Sequence, residues 1–289
     1  MRILLTGTTG KIGGFLNQSW QDTHEIIAPT RTTVDLTNSS SLERFLERSD
    51  FDLLVNPAAI STPEGCESAP ELAHQVNVEA PALMARICAR KKVPLIHFST
   101  DYVLDGSKPG FKDESSLCLP NNLYGESKLA GEHAVMDAHP DALIARVSWV
   151  FGTLGEGFLE KIFRLIQEGS PLEGVDDKYS LPTSASEISK ALDSLVAQSA
   201  TGLFHLTQSS DEPVSWYRYA VEVAAAVAEI GLTPEPTPVT PRKMADIPVL
   251  STNRPVHTAM APARLHSLGY HAQDWRILLR ERVKTLAET

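Results

Sequence analysis

Cysteine is scarce. The 289 residues contain three, Cys66, Cys88 and Cys118, an odd number at unpatterned spacings. That argues against a disulfide framework or a zinc site and fits buried thiols in a reducing compartment. Long apolar runs are also missing, and nothing approaches the roughly 20 residues needed to span a bilayer. The opening "MRILLTGTTG" runs straight into a glycine-rich turn, without the long apolar region and small-residue cleavage site of a secretion signal, so the expected compartment is cytoplasmic. Positive charge is in deficit: 26 Lys and Arg against 36 Asp and Glu give a net charge of -10. With the two signs interspersed, neither a nucleic-acid surface nor a polybasic membrane face is expected. No residues have metal-ligand spacing. His97 and His205 lie within strand-like runs and read as packed, hydrogen-bonded side chains rather than ligands. Small molecules and other proteins remain as partners.

What is present is an alternation. The runs "RILLTG", "HEIIAPT", "DLLVNPAA", "PLIHFST" and "ALIARVSWVF" are short and aliphatic, and amphipathic stretches separate them, with helices expected at about 72–91 and 122–138. This pattern specifies an α/β fold: a doubly wound, Rossmann-type parallel sheet covered on both faces. The rhythm loosens after residue 150. We expect a dinucleotide-binding core over residues 1–150, continued by about 183–231. A small C-terminal lobe for substrate would be assembled from 151–182 and 232–289. The proline-rich "LTPEPTPVTPRKMADIPVLSTNRP" forbids a long regular element and reads as an ordered loop or small cap. The alanine-rich face of "YAVEVAAAVAEIG" suits tight packing on a neighbouring helix, with homodimer formation as the other option.

"TGTTGKIGG" places glycines at 7, 10 and 13 directly after a strand and at the opening of a helix. Glycine permits the tight turn and lets the backbone approach a pyrophosphate, while the helix N-terminus offers free N–H groups and positive dipole. Gly7, Thr9, Gly10, Lys11 and Ile12 are therefore candidate contacts to a dinucleotide. The second strand ends in "IIAPTRTTVDLT", with no acidic residue at its tip to accept ribose hydroxyls. Arg31 stands there instead, which favours the extra phosphate of NADP over NAD without excluding NAD. "NPAA" ends the next strand, and its small Ala58 and Ala59 leave room beneath the cofactor.

Tyr124 and Lys128 stand four apart in "YGESKLAGE" and share a helix face. A phenol ordinarily titrates near 10, and a nearby ammonium stabilises phenolate, so the pair can exchange a proton with a substrate oxygen. "HFSTDYV" ends a strand at Ser99 and Thr100, where hydroxyls of a parallel sheet face the ligand crevice. One of them can hold the substrate oxygen beside the phenol.

The set "TGTTGKIG", "STDYVLDG", "YGESKLAGE", "SWVFG" and "NRP", in that order over essentially the whole chain, resembles the extended short-chain dehydrogenase/reductases, and within them the dTDP-4-dehydrorhamnose reductase family. The resemblance implies reduction by NADPH or NADH of the 4-keto group of a nucleotide-linked 6-deoxyhexose. Thr100, Tyr124 and Lys128 become its catalytic triad, with Tyr124 and Lys128 also touching cofactor. Asp35 and Leu36 would bracket the adenine. Ser99, Thr100, Tyr102, Val103, Trp149 and Arg254 would contact substrate, Trp149 by packing on the sugar and Arg254 by pairing with a diphosphate. A tryptophan of the core and a surface ion pair are the plainer readings of those last two. Related 4,6-dehydratases carry Asp-Glu after the threonine, whereas this chain has Asp101-Tyr102 and lacks that base for elimination. Lys178 stands where the family usually has glutamine, Thr258 replaces a serine and Pro57 an alanine, which leaves the sugar open. Two rival readings share the resemblance: a non-catalytic NADP-binding regulatory subunit like the β subunit of methionine adenosyltransferase, and a nucleotide-sugar 4-epimerase that retains NAD.

Overall fold

In the computed structural model, which describes residues 1–247, 250 and 252–288, the first half of the chain alternates as its pattern demands. In order come β1 (Arg2–Leu5), α1 (Lys11–Trp20), β2 (Glu25–Ile27), α2 (Ser39–Arg48), β3 (Leu53–Asn56), α3 (Pro63–Ser68), α4 (Pro70–His74), α5 (Ala80–Lys91), β4 (Leu95–Thr100), α6 (Leu123–Ala138) and β5 (Leu143–Val147). The second half holds β6 (Val150–Phe151), α7 (Phe158–Gln167), β7 (Leu172–Val175), β8 (Tyr179–Ser180), β9 (Thr183–Ser184), α8 (Ala185–Ala197), β10 (Gly202–His205), β11 (Val214–Ser215), α9 (Trp216–Glu229), β12 (Val239–Arg242), α10 (Ala263–Ser267) and α11 (Trp275–Ala287).

Six strands form one parallel sheet in the order β10-β5-β4-β3-β1-β2. The chain passes to one side of β1 for β2 and to the other for β3. The carboxyl ends of β1 and β3 therefore flank the switch point at which open α/β sheets take their ligands. Both faces are covered. Ile3, Leu5, Val55, Ile96 and Phe98 pack with α1 and α8, while Leu4, Leu54, Leu95 and Ile144 pack with α2 and α5. All positions of β3, β4 and β5 are buried, as expected of central parallel strands.

A second apolar cluster joins Phe151, Leu159, Phe163, Tyr219, Val223, Trp275 and Leu279. It draws α9 away from the sheet. The expected continuation of the core to about residue 231 is corrected here: α8 and β10 pack with the sheet, but the chain then leaves it, and α9 lies against α7 and α11. The alanine-rich face of α9 is buried in that contact through Ala220, Ala224 and Ala226. The helix expected at about 72–91 is present as one helical stretch from Pro70 to Lys91 with a π-helical turn over Gln75–Glu79 inside it, and a short helix opened by Pro63 precedes it. Within the proline-rich stretch, β12 pairs in parallel with β7, and Pro248, Val249 and Ser251 lie outside the described residues. Among the described residues no helix is long and apolar enough to cross a membrane.

Candidate active site

The glycine turn is built from backbone. Gly7 adopts φ +62 and accepts a hydrogen bond from the Gly10 N–H at 2.8 Å, after which α1 begins with no side-chain cap at Gly10. A Cβ on Gly13 would stand 2.3 Å from the Gly7 carbonyl oxygen, and one on Gly7 would stand 2.9 Å from the Ala58 backbone. The turn after β1 and the "NPAA" segment after β3 are thus in direct contact, with the uncapped helix N-terminus opening beside them. This is the cradle a pyrophosphate requires, so these residues fit a dinucleotide. Thr9 and Lys11 are exposed at its rim, and Ile12 packs against the core below. Arg31 is exposed just beyond β2. Asp35 turns back on itself, accepting from the Thr37 N–H and hydroxyl, which lowers its pKa, and Leu36 packs partly buried beside it.

Asn77, which the sequence pattern did not single out, holds the segment after β3 in place. The π turn points it inward, where it accepts from the Ile60 N–H at 2.9 Å and donates to the Ile60 carbonyl and the Ser127 hydroxyl, each at 3.0 Å. Such turns recur at functional sites. A polar residue at a fully buried helical position was the one signal available.

β4 delivers Ser99 and Thr100, and α6 delivers Tyr124 and Lys128. Asn122 caps α6, accepting from the Gly125 N–H at 2.8 Å while donating to the Asn253 carbonyl at 2.8 Å, so the helix start is tied to the C-terminal segment. Gly125 is needed for close approach, because a Cβ there would meet the Tyr102 carbonyl at 2.4 Å. The rings of Tyr102 and Tyr124 meet edge to face at 5.5 Å. The Tyr124 phenol reaches the Thr100 hydroxyl. Burial raises its pKa above the usual 10, and the Thr100 bond only partly offsets this. The expectation that Lys128 tunes the phenol toward neutrality is corrected for the ligand-free chain: the Lys128 ammonium donates to the Phe98 carbonyl at 2.7 Å and lies 3.4 Å from His97 Nε2. Burial lowers the Lys128 pKa to about 8, against an upward pull from Glu132. The resting site therefore presents a protonated phenol on Thr100 and, one helical turn on, a buried lysine whose pKa lies near 8.

The Ser99 hydroxyl is buried without a protein partner at the same strand end. Asp101 does not face the triad alone. It accepts from the Ser180 hydroxyl at 2.9 Å and from the Thr258 hydroxyl, bonding the end of β4 to β8 and to the C-terminal segment. Lys178 completes this network. Its buried ammonium donates to the Pro255 carbonyl at 2.9 Å and stands 5.1 Å from the centre of the Tyr102 ring. Burial lowers its pKa to about 8, with Asp101 opposing.

Three substrate-side expectations look different in space. Val103 is corrected: it is fully buried among Leu104, Met260, Cys118 and Leu129 and lines no site. The 3₁₀ turn over Asp101–Val103 turns each residue about 120° from the last. Tyr102 consequently faces Tyr124 while Val103 enters the core. Trp149 sits with backbone φ +44 in an aromatic cluster with Phe158, Trp216 and Tyr219, partly exposed. Arg254 is 8% exposed and ion-paired with Glu64 at 2.6 Å, and it also reaches the Tyr102 phenol.

Comparison with known proteins agrees with this geometry. The profile of the RmlD substrate binding domain matches residues 1–288. A dTDP-4-dehydrorhamnose reductase of Burkholderia thailandensis is 32% identical over 96% of each chain, and one of Mycolicibacterium smegmatis is 31% identical over 98% of this chain and 85% of its own. Among solved structures, a dTDP-4-dehydrorhamnose reductase from Clostridium acetobutylicum superposes with a TM-score of 0.90 at 25% identity, covering 99% of this chain and 100% of that one.

Proposed function

This chain belongs to the RmlD family, and from that premise we propose that it is an NAD(P)H-dependent reductase of the 4-keto group of a nucleotide-linked 6-deoxyhexose, with dTDP-4-dehydrorhamnose as substrate and dTDP-L-rhamnose as product. The observation that carries the reading is the contact of the Tyr124 phenol with the Thr100 hydroxyl at the carboxyl end of β4, with Lys128 one helical turn further along α6 anchored to the same strand, in a sheet whose β1 and β3 ends carry the glycine cradle. The family match and the reductases at 31–32% identity support it. Asp101 is followed by Tyr102, so the pair that elimination needs is absent from this segment, which favours reduction over dehydration.

A bound reduced nicotinamide supplies the hydride. The chain's own residues do the rest. Backbone N–H groups at Lys11 and Ile12 would hold the pyrophosphate, and Arg31 would favour the extra phosphate of NADPH. Thr100 holds the carbonyl oxygen, and Tyr124, kept protonated by its buried setting, donates the proton that oxygen requires. The phenolate left behind is stabilised by the positive charge of Lys128. Arg254, buried and oriented by Glu64, supplies the cation for the diphosphate, and Ser99, Tyr102 and Trp149 border the sugar. Holding both reactants in one crevice makes the transfer effectively unimolecular.

NADPH oxidation with dTDP-4-dehydro-6-deoxy-L-mannose tests the proposal. Tyr124→Phe should lose about 100- to 10,000-fold in turnover, the usual worth of a positioned acid. Undiminished turnover in that variant overturns the assignment of Tyr124. No oxidation by the wild type across a panel of nucleotide sugars favours a regulatory subunit instead.

A further inference from the structure

A line of buried polar groups runs from the glycine turn to the lysine of the triad. Thr6, the residue before Gly7, places its hydroxyl 2.5 Å from Asn56 Oδ1. Asn56 Nδ2 lies 3.1 Å from His97 Nδ1, and His97 Nε2 lies 3.4 Å from Lys128 Nζ. Each of these four residues is at most 5% exposed, so water does not compete for their hydrogen bonds. Burial and the neighbouring Lys128 hold the His97 pKa well below its usual value, so the ring is neutral and carries one proton.

Which nitrogen carries it follows from counting donors. If the Thr6 hydroxyl donates to Asn56 Oδ1, then Asn56 Nδ2 donates to His97 Nδ1, and the ring proton must sit on Nε2, pointing at Lys128. A neutral amine accepts that proton. An ammonium cannot, because it has three donors and no lone pair. Exchanging the amide oxygen and nitrogen of Asn56 requires only that its 2.5 Å contact with Thr6 lengthen to an ordinary N–H···O distance. It reverses the line: Asn56 donates to Thr6, His97 Nδ1–H donates to Asn56, and Nε2 is free to accept from the ammonium. Both arrangements satisfy the Asn56–His97–Lys128 contacts, and they differ in the charge that Lys128 can carry.

We propose that Asn56 and His97 are positioning residues that couple the charge of Lys128 to the ring tautomer: ammonium with His97 protonated on Nδ1, neutral amine with the proton on Nε2. Its catalytic consequence rests on the reading of Lys128 as the partner of Tyr124. The other titratable groups acting on the lysine are Glu132 on its own helix and Cys66 from α3, whose thiol burial keeps neutral. Glu132 favours the ammonium throughout, and burial opposes it. The remaining choice falls to the imidazole. Since the line ends at Thr6, the wall of the cofactor turn and the charge on Lys128 belong to one hydrogen-bond circuit.

Long-range proton–nitrogen NMR on ligand-free protein labelled with ¹⁵N-histidine reads the tautomer directly, and His97→Gln assigns the signal. The expected result is Nδ1–H below the Lys128 pKa of about 8, converting to Nε2–H as pH rises through it. In Lys128→Met the conversion disappears. One unchanging tautomer across that range, or an imidazolium at neutral pH, overturns the proposal. The kinetic arm uses two variants. His97→Leu, which removes the acceptor, should move the Lys128-dependent limb of the kcat profile to lower pH by about one unit, whereas His97→Gln, which keeps one, should restore it. Identical profiles in both overturn it too. Because the NMR experiment needs no turnover, an inactive protein with the expected tautomer switch would defeat only the reductase reading.

Discussion

Glu132→Gln is the sharpest probe of how the site's floor is held. Glu132 sits eight residues after Tyr124 on the same buried face of α6, and its carboxylate pairs with the Arg146 guanidinium of β5 through two bonds of 2.8 and 2.6 Å. Both residues are at most 5% exposed. The guanidinium cannot shed its charge, so neutralising Glu132 leaves a buried cation whose other hydrogen-bonding side chains, Cys118 and His205, carry no compensating charge. Breaking such a pair from one side costs about 3–5 kcal/mol, because the stranded charge keeps its desolvation penalty. Unfolding entropy of about 2.1 cal/mol/K per residue over 289 residues converts that into a fall in Tm of about 5–8 °C, read by calorimetry. Replacing both partners with methionine should recover most of the loss, since the unpaired charge is then gone. The same variant removes the group that raises the Lys128 pKa, which should drop below about 8. A melting point within about 1 °C of wild type, or a double variant less stable than the single one, refutes the reasoning.

Other outcomes follow from the same geometry. Gly13→Ala should abolish the thermal stabilisation conferred by NADPH, about 2.7 kcal/mol at a hundredfold excess over Kd in the wild type, because its Cβ would fall 2.3 Å from the Gly7 carbonyl oxygen. A full ligand-induced shift in that variant contradicts the cradle. His205 is buried beside Arg146, and its folded pKa is lowered from 6.5 to about 3. The unfolded chain therefore binds more protons between those values, and stability present above pH 6.5 is lost as pH falls toward 3. Urea melts over that window should show a shallower pH dependence in His205→Gln than in the wild type, and equal slopes would contradict the assignment.

Local spacing made much of this legible. The glycine turn, the strand end at Ser99 and Thr100, and the Tyr124–Lys128 helix face each occupy a few consecutive residues, and backbone periodicity alone brings their groups together. What stayed hidden depends on contacts between distant segments. Helical spacing gave α9 an apolar face suited to a neighbouring helix but did not say which one, so the helix was counted with the dinucleotide-binding core when α7 and α11 cover it. Val103 shares a motif with Tyr102, yet one 3₁₀ turn sends the two side chains in different directions. Lys178 appeared as a departure from the family pattern. Its meaning emerged only when Pro255, Thr258 and Tyr102 were seen around it, from segments about 75 residues to either side. His97 was expected as a packed, hydrogen-bonded histidine, and it is one. That one of its neighbours is Lys128 could not be read from a single strand.

The central claim is that Thr100, Tyr124 and Lys128 serve a carbonyl reduction in this crevice. Single turnover with NADPH deuterated at both C4 positions tests it most directly, with the sugar product analysed by mass spectrometry and NMR. The account predicts one deuterium at C4 of dTDP-L-rhamnose from the wild type and none from Tyr124→Phe on the same timescale. Unlabelled product from the wild type, or no product while NADPH and the nucleotide sugar are both bound, would contradict it.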